Sequence, residues 1–272
     1  MRAIVALTAI LPLLAGAAAQ KVVTLGGDVT EIVYALGAQS ALVARDSTSQ
    51  WPPEALTLPD VGYLRQLNAE GILATRPTTV LASVQAQPSL ALKQVAQNGV
   101  TVVTIPGSND LSVIDDKVRI VAAALHKDAE GEQLRKSLKQ AREALPKTQL
   151  NKRVLFILSH GGMSAMAAGQ QTGADAAIRA AGLQNAMQGV NRYQPLSQEG
   201  VIASQPDLVV ISSDGVKSMG GEAGLWQLPG LAQTPAGRNK QVLLVDDMAL
   251  LGFSIRTAEA IQQLRHKAEQ LP

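Results

Sequence analysis

The chain has 272 residues, 24 Lys and Arg against 22 Asp and Glu, a formal charge of +2 and no cysteine. Basic residues are scattered rather than striped, which argues against nucleic-acid binding. Without cysteine there is no disulfide, so the hydrophobic core alone must hold the fold, which a chain of this length can do.

In chain order, Arg2, an apolar run from Ile4 to Ala15 and the triplet Ala17-Ala18-Ala19 read as a secretory leader over residues 1–19. The run is too short to span a bilayer, which takes about 20 residues. A bacterial lipoprotein needs Cys directly after its leader, and here stands Gln20. The expectation is a free periplasmic protein.

"KVVTL" (21–25) predicts a strand, then "GGD" and the amphipathic helix "VTEIVYALG", with Asp28 as its cap and Gly37 at its end. Residues 41–45, 78–83 and 100–105 predict further strands with helices between them. That alternation is the signature of a parallel, doubly wound sheet. Two helices follow: one presents Leu111, Ile114, Val118, Val121 and Leu125. The next, over about 128–145, carries Leu134, Leu138, Ala141 and Leu145 on a narrow stripe. Eighteen such residues make a rod of about 27 Å, a stiff strut between two halves. Strands then resume at 153–158, 207–212 and 241–245, with helices over 172–186 and 257–269.

The chain repeats itself. "LNAEGILATRPTTVLAS" from Leu67 and "LSQEGVIASQPDLVVIS" from Leu196 share seven identities in seventeen positions, among them Glu70/Glu199 and Gly71/Gly200. A helix-Pro-strand unit needs neither Glu nor Gly, so the match points to two similar lobes. The layout expected is an N-terminal α/β lobe over 20–126, a connecting helix over 127–146 and a C-terminal α/β lobe over 147–272.

Five stretches carry a family resemblance: "VTLGGDVTEIVYALGA", "DSTSQWPPEALTLPDVGYLRQLNAEG", "GADAAIRAAGLQNA", "YQPLSQEGVIASQPDLVVIS" and "LGFSIRTAEAI". Together the sequence resembles the periplasmic haemin-binding proteins of bacterial haem ABC importers, the HmuT-type group. The likeness covers the whole mature chain and implies two Rossmann-like lobes joined by one long helix, a class III substrate-binding protein. It also implies ferric haem as the transported ligand, one or two per chain, carried by a monomer. An inner-membrane permease would be the partner, with an outer-membrane haem receptor system upstream. The "GYLRQL" segment is the specific part, since cobalamin and siderophore binders share the repeat units without it. "GFSIRT" departs from the Gly-Pro pair that more often precedes the Arg in that group.

Under that resemblance Tyr63 is the axial ligand of ferric haem. Tyrosinate is a hard oxygen donor suited to Fe(III), and both the metal and a neighbouring cation favour the phenolate. Arg65 can reach the same side only from a turned or extended segment, which the Pro59-Asp60-Val61-Gly62 lead-in predicts. His160 closes the strand at 153–158, at the end where α/β sheets place ligand contacts. Three roles stay open for it: ligand of a second stacked haem, sixth ligand of a single haem, or a cap for its loop. Met163, Met166 and Ala165 are candidates to cover the macrocycle, and Tyr193 and Arg192 to flank it. Arg65, Arg192, Arg256 and the "GGD" turn are candidates for the propionates. By the same resemblance Glu70 and Glu199 dock the two lobes onto permease arginines.

Three other classes compete with this reading. Cobalamin or a ferric siderophore on the same fold is the alternative cargo. A zinc or manganese carrier needs three or four converging ligands, and the chain has three His. An enzyme built on Ser159-His160 is opposed by geometry, because adjacent strand residues point to opposite faces.

Overall fold

The structure, a computed structural model, describes residues 19–159 and 164–272. The leader expected over 1–19 falls, but for its last residue, outside them, and so do His160 and Met163.

The N-terminal half runs β1 (Val22–Leu25), α1 (Gly27–Ala35), β2 (Leu42–Arg45), α2 (Ala69–Ala74), β3 (Thr79–Ser83), α3 (Ser89–Gln97) and β4 (Thr101–Ile105). Its four strands pair in the order β2-β1-β3-β4, all parallel. β1 and β3 are buried along their whole length, as expected of strands covered on both faces by crossover helices. The alternation of strand and helix predicted for this half is what forms.

α4 (Val113–Ala124) and α5 (Asp128–Glu143) come next. Gly131, early in α5, lies against Ala122 at the end of α4, while Arg142, late in α5, pairs with Asp115 at the start of α4. The two helices are therefore an antiparallel hairpin. The predicted strut is one leg of that hairpin, 16 residues long, or about 24 Å. Its apolar stripe is divided: Leu134 and Leu138 pack into the N-terminal core, Ala141 and Leu145 into the C-terminal one.

The C-terminal half holds β5 (Arg153–Leu158), β6 (Met166–Ala168), α6 (Gly173–Ala180), β7 (Gln184–Asn185), β8 (Tyr193–Pro195) and α7 (Gln198–Ser204). β9 (Leu208–Ser212), α8 (Ser213–Ser218), α9 (Glu222–Trp226), α10 (Pro235–Arg238), β10 (Val242–Val245), α11 (Asp247–Leu251) and α12 (Thr257–Glu269) complete it. The sheet order is β10-β9-β5-β6-β8, with β7 also on β5. It is not purely parallel: β6 runs against β5 and β8 against β6. Three-residue strands such as "MAA" and "YQP" are too short to show a period.

The repeat is structural. α2 and α7 begin at equivalent positions, and β3 and β9 coincide end to end under the same offset. Each helix is capped by the side chain just before it, Asn68 onto the Glu70 N–H and Ser197 onto the Gly200 N–H. With two sheets, two sets of flanking helices and one bridging hairpin leg, the fold is the two-lobed α/β architecture expected.

Candidate functional site

In parallel α/β sheets ligands bind beyond the carboxyl ends of the strands, where the strand order reverses. In the first sheet that point lies between β1 and β3, at Gly26 and Ser83. Gly26 has φ 127°, and a Cβ on it would come within 3.0 Å of Ser83 Cβ, so the turn requires glycine.

The turn is closed from above. Asp46, fully buried after β2, accepts from the Gly26 N–H at 2.9 Å, and Thr48 Oγ1 accepts from the Gly27 N–H at 3.1 Å. The "GGD" turn therefore has no free N–H at Gly26 or Gly27 for a propionate, contrary to the sequence expectation. Asp28 is not the cap either. Gly26 occupies the cap position, and Asp28 sits buried inside the first turn.

α1 departs from a one-sided helix, because its first seven residues are all buried. Packed between its own sheet, α4 and the C-terminal half, it must have each polar side chain answered. Asp28 pairs with Lys117 of α4 at 2.5 Å. Thr30 shares hydrogen bonds of 2.6 Å with Thr24 and with Ser49. Glu31 accepts from Arg256, which reaches it from the other half of the chain.

The Tyr63 loop rides on the same rim. The Ser47 N–H donates to the Gly62 carbonyl, the Val61 N–H to the Arg45 carbonyl and the Gln87 N–H to the Leu64 carbonyl. Gly62 has φ 99°, the left-handed geometry that turns the chain. Leu64 points inward and is buried, while Tyr63 and Arg65 on either side face out; Tyr63 is 44% exposed. The segment is turned, not helical, as its lead-in predicted. Arg65 Nη2 donates to Gln85 Oε1 at 2.9 Å, just past β3.

Exposed apolar side chains mark this rim. Trp51 after β2, Tyr63, and Val84 after β3 are among the few large hydrophobics left open in the described residues. Sequence reasoning passed over Trp51 and Val84. The signal at Trp51 was there, one of two tryptophans placed in a loop directly after a strand.

From the other half, Tyr193 on β8 is half-buried against the C-terminal core. Burial pushes its phenol up to about 12, Asp247 adds to the rise, and the Arg65 charge draws it back. Arg65 thus acts on a residue of the opposite sheet. Arg192, beside it, is exposed with φ 61°. Met166 begins β6 and pairs with Leu158, the last residue of β5.

Arg256 has work other than the propionate contact expected of it. Its Nε and Nη2 donate to Glu31 Oε1, the former at 3.0 Å, and its Nη1 donates to Asp246 at 2.8 Å. The guanidinium also stacks 4.7 Å from the centroid of the Trp51 ring. Burial pushes Glu31 up to about 7 against the pull of Arg256, with Asp246 and Asp28 adding to the rise.

Glu70 and Glu199 are exposed in the first turns of α2 and α7. Neither is ion-paired among the described residues. Two cavities of about 440 Å³ lie elsewhere, one lined by Asn109, Gln171 and Arg179, the other by Arg153, Met187 and Ala203. Neither touches Tyr63. Among the described residues no three His, Asp or Glu group as a metal site, and no helix is long and apolar enough to cross a membrane.

Two α/β lobes joined by a single bridging hairpin leg make the frame of a substrate-binding protein. The chain belongs to the periplasmic binding protein family, whose model matches residues 22–249. Among solved structures it is similar to the periplasmic heme-binding protein RhuT from Roseiflexus sp. RS-1 in apo form. That match has 38% identity and a TM-score of 0.88, covering 92% of this chain and 97% of that one. It is also similar to the periplasmic heme-binding protein BhuT in complex with two hemes, with 41% identity and a TM-score of 0.84 over 92% and 97%. A curated relative, the vitamin B12-binding protein of Vibrio cholerae, is 26% identical over 90% of this chain and 88% of its own. The family and these neighbours are binding proteins rather than enzymes.

Proposed function

We propose that this protein captures ferric haem in the crevice between its sheets, one or two per chain, and hands it to an ABC importer permease in the inner membrane. The observation that carries the reading is the Tyr63 loop: an exposed phenol and a cation two residues on, held by backbone bonds to the strand ends of a chain whose solved neighbours bind heme. Tyr63 is the axial ligand to iron. Arg65 stands beside it, favours the phenolate and reaches for a propionate. Trp51 and Val84 cover the apolar edges of the macrocycle, and Tyr193 flanks it as a neutral phenol. His160 and Met163, outside the described residues, complete the opposite wall, with His160 as the ligand of a second haem. The protein works in the periplasm, reached through the leader over 1–19, and meets its permease as a monomer through Glu70 and Glu199.

The test is a haem titration of the apoprotein followed by its visible absorbance. Tyr63→Phe removes the phenolate and keeps the ring, so the absorbance of the bound form shifts. Affinity should fall by more than the roughly 10–100-fold typical of losing an outer-shell partner. An unchanged spectrum in Tyr63→Phe sinks the assignment. The second reading is cobalamin, favoured by the Vibrio cholerae relative; cobalamin that displaces haem stoichiometrically at matched concentrations would establish it instead.

A further inference from the structure

Four contacts tie the two halves of the chain together at one edge of the crevice, and all converge on α1. Ser254 Oγ donates to the Asp28 carbonyl at 3.0 Å. Lys117 Nζ, already on Asp28, donates to the Gly252 carbonyl at 2.6 Å. Phe253, with φ 48°, is buried in the N-terminal core beside Val29 and Ile32. Arg256 then spans Glu31, Asp246 and Trp51.

The first three contacts plug one segment into α1, whereas the Arg256 set joins three separate elements. Glu31 is on α1, Asp246 follows β10, and Trp51 is on the loop after β2. Asp246 and Trp51 both stand at carboxyl ends of strands, one from each sheet, where the crevice lies. Glu31 is 1% exposed and its Oε2 has no hydrogen-bond partner. Such a group is costly to leave buried, and the pair is held by the packing of the two halves.

We propose that the Glu31–Arg256 pair is the clamp that sets the angle between the two lobes, and through it how tightly a ligand in the crevice is held. Arg256 is on this account a positioning residue rather than a haem contact. The clamp also responds to protons. Glu31, at about 7 when buried, would return to the ordinary carboxylate range once water reached it. The buried arrangement therefore binds the proton more tightly, and acid favours the clamped state by linkage. The charged groups acting on Glu31 are Arg256, Asp246 after β10 and Asp28 on α1, the last of them engaged by Lys117 of α4.

Only the ligand-holding half of this proposal rests on the haem reading, and the experiment separates the two. The chain has no cysteine, so Lys93→Cys on α3 and Ala223→Cys on α9 place one spin label on each lobe of the apoprotein without background. Inter-label distances should be narrow in the parent and broad in Arg256→Ala, with Arg256→Lys between them. Lowering the pH from about 8 to about 6 should narrow the parent distribution through linkage, and Glu31→Gln should remove that dependence. Haem dissociation should quicken at least tenfold in Arg256→Ala. Tyr63→Phe should shift the haem spectrum and weaken binding with its inter-label distances unchanged. If Tyr63→Phe binds haem with the parent spectrum, the assignment of Tyr63 as ligand fails while the clamp stands; if the parent itself takes up no haem, the haem reading fails while the clamp stands. If Arg256→Ala and Arg256→Lys both keep the parent distances, the clamp is overturned, and weaker haem binding in them would mark Arg256 as a propionate donor.

Discussion

Lys117 and Asp28 form a buried ion pair at 2.5 Å, and the same ammonium donates to the Gly252 carbonyl of the other half of the chain. Removing one member leaves the other charge buried alone, which costs about 3–5 kcal/mol, whereas removing both can be nearly neutral. Lys117→Met should therefore unfold at markedly lower urea than the parent. Asp28→Asn added to it should restore part of the loss, so the two changes are non-additive. A loss below about 1 kcal/mol for Lys117→Met would show that water reaches the pair.

Two helical glycines should respond to alanine with opposite signs. Gly71 in α2 has open space where a Cβ would stand; at Gly131 in α5 a Cβ would lie 2.4 Å from Ala122 Cβ. Gly71→Ala should stabilise by about 0.5–1 kcal/mol through the backbone entropy of the unfolded chain. Gly131→Ala must push α5 off α4, at about 1–3 kcal/mol. Thermal melts of the two variants check the pair; equal shifts would refute the tight crossing of the helices.

Burial holds the Tyr193 phenol near 12 despite Arg65. Its folded value exceeds the usual phenol value of about 10, so the native state binds this proton more tightly. The stability it contributes is complete below about 10 and is lost as pH rises through about 12. In an ultraviolet titration of the apoprotein, the last of the tyrosine steps should vanish in Tyr193→Phe. A step near 10 in its place would put Tyr193 in water and remove it from the crevice wall.

The parts of the fold visible in the sequence are those with a local cause. β1 and β3 are continuous apolar runs because both faces are covered, and α2 and α7 are marked by their caps and by the prolines that follow. The Tyr63 loop was visible because Pro-Asp-Val-Gly excludes a helix. β6 and β8 were not, since their placement comes from pairing with β5 and from each other. The contacts of α1 were hidden for a deeper reason. Glu31 and Arg256 are 225 residues apart, and nothing local distinguishes a carboxylate answered across the molecule from one in water. The one hint was its position, directly before the apolar pair Ile32-Val33. Asp28 misled for the same cause: at a helix start it resembles a cap, and only the arrival of Lys117 shows otherwise.

The repeat leaves a pair of charges on the surface that the fold itself does not use. Glu70 and Glu199 stand at equivalent positions in the first turns of α2 and α7, where the helix dipole favours a carboxylate. They are exposed, and among the described residues neither pairs with a cation, so alanine at both should cost little stability, within about 0.5 kcal/mol each. If they read two permease subunits at once, Glu70→Ala with Glu199→Ala should leave the haem titration of the purified protein unchanged while stopping haem-dependent growth of cells carrying the importer. Each single variant should be intermediate, because one lobe still docks. Charge reversal, Glu70→Lys with Glu199→Lys, should be more severe than alanine through repulsion at the same surface. Uptake retained in the double alanine variant at normal protein levels would exclude these two carboxylates from docking and move the search to the rest of the α2 and α7 faces.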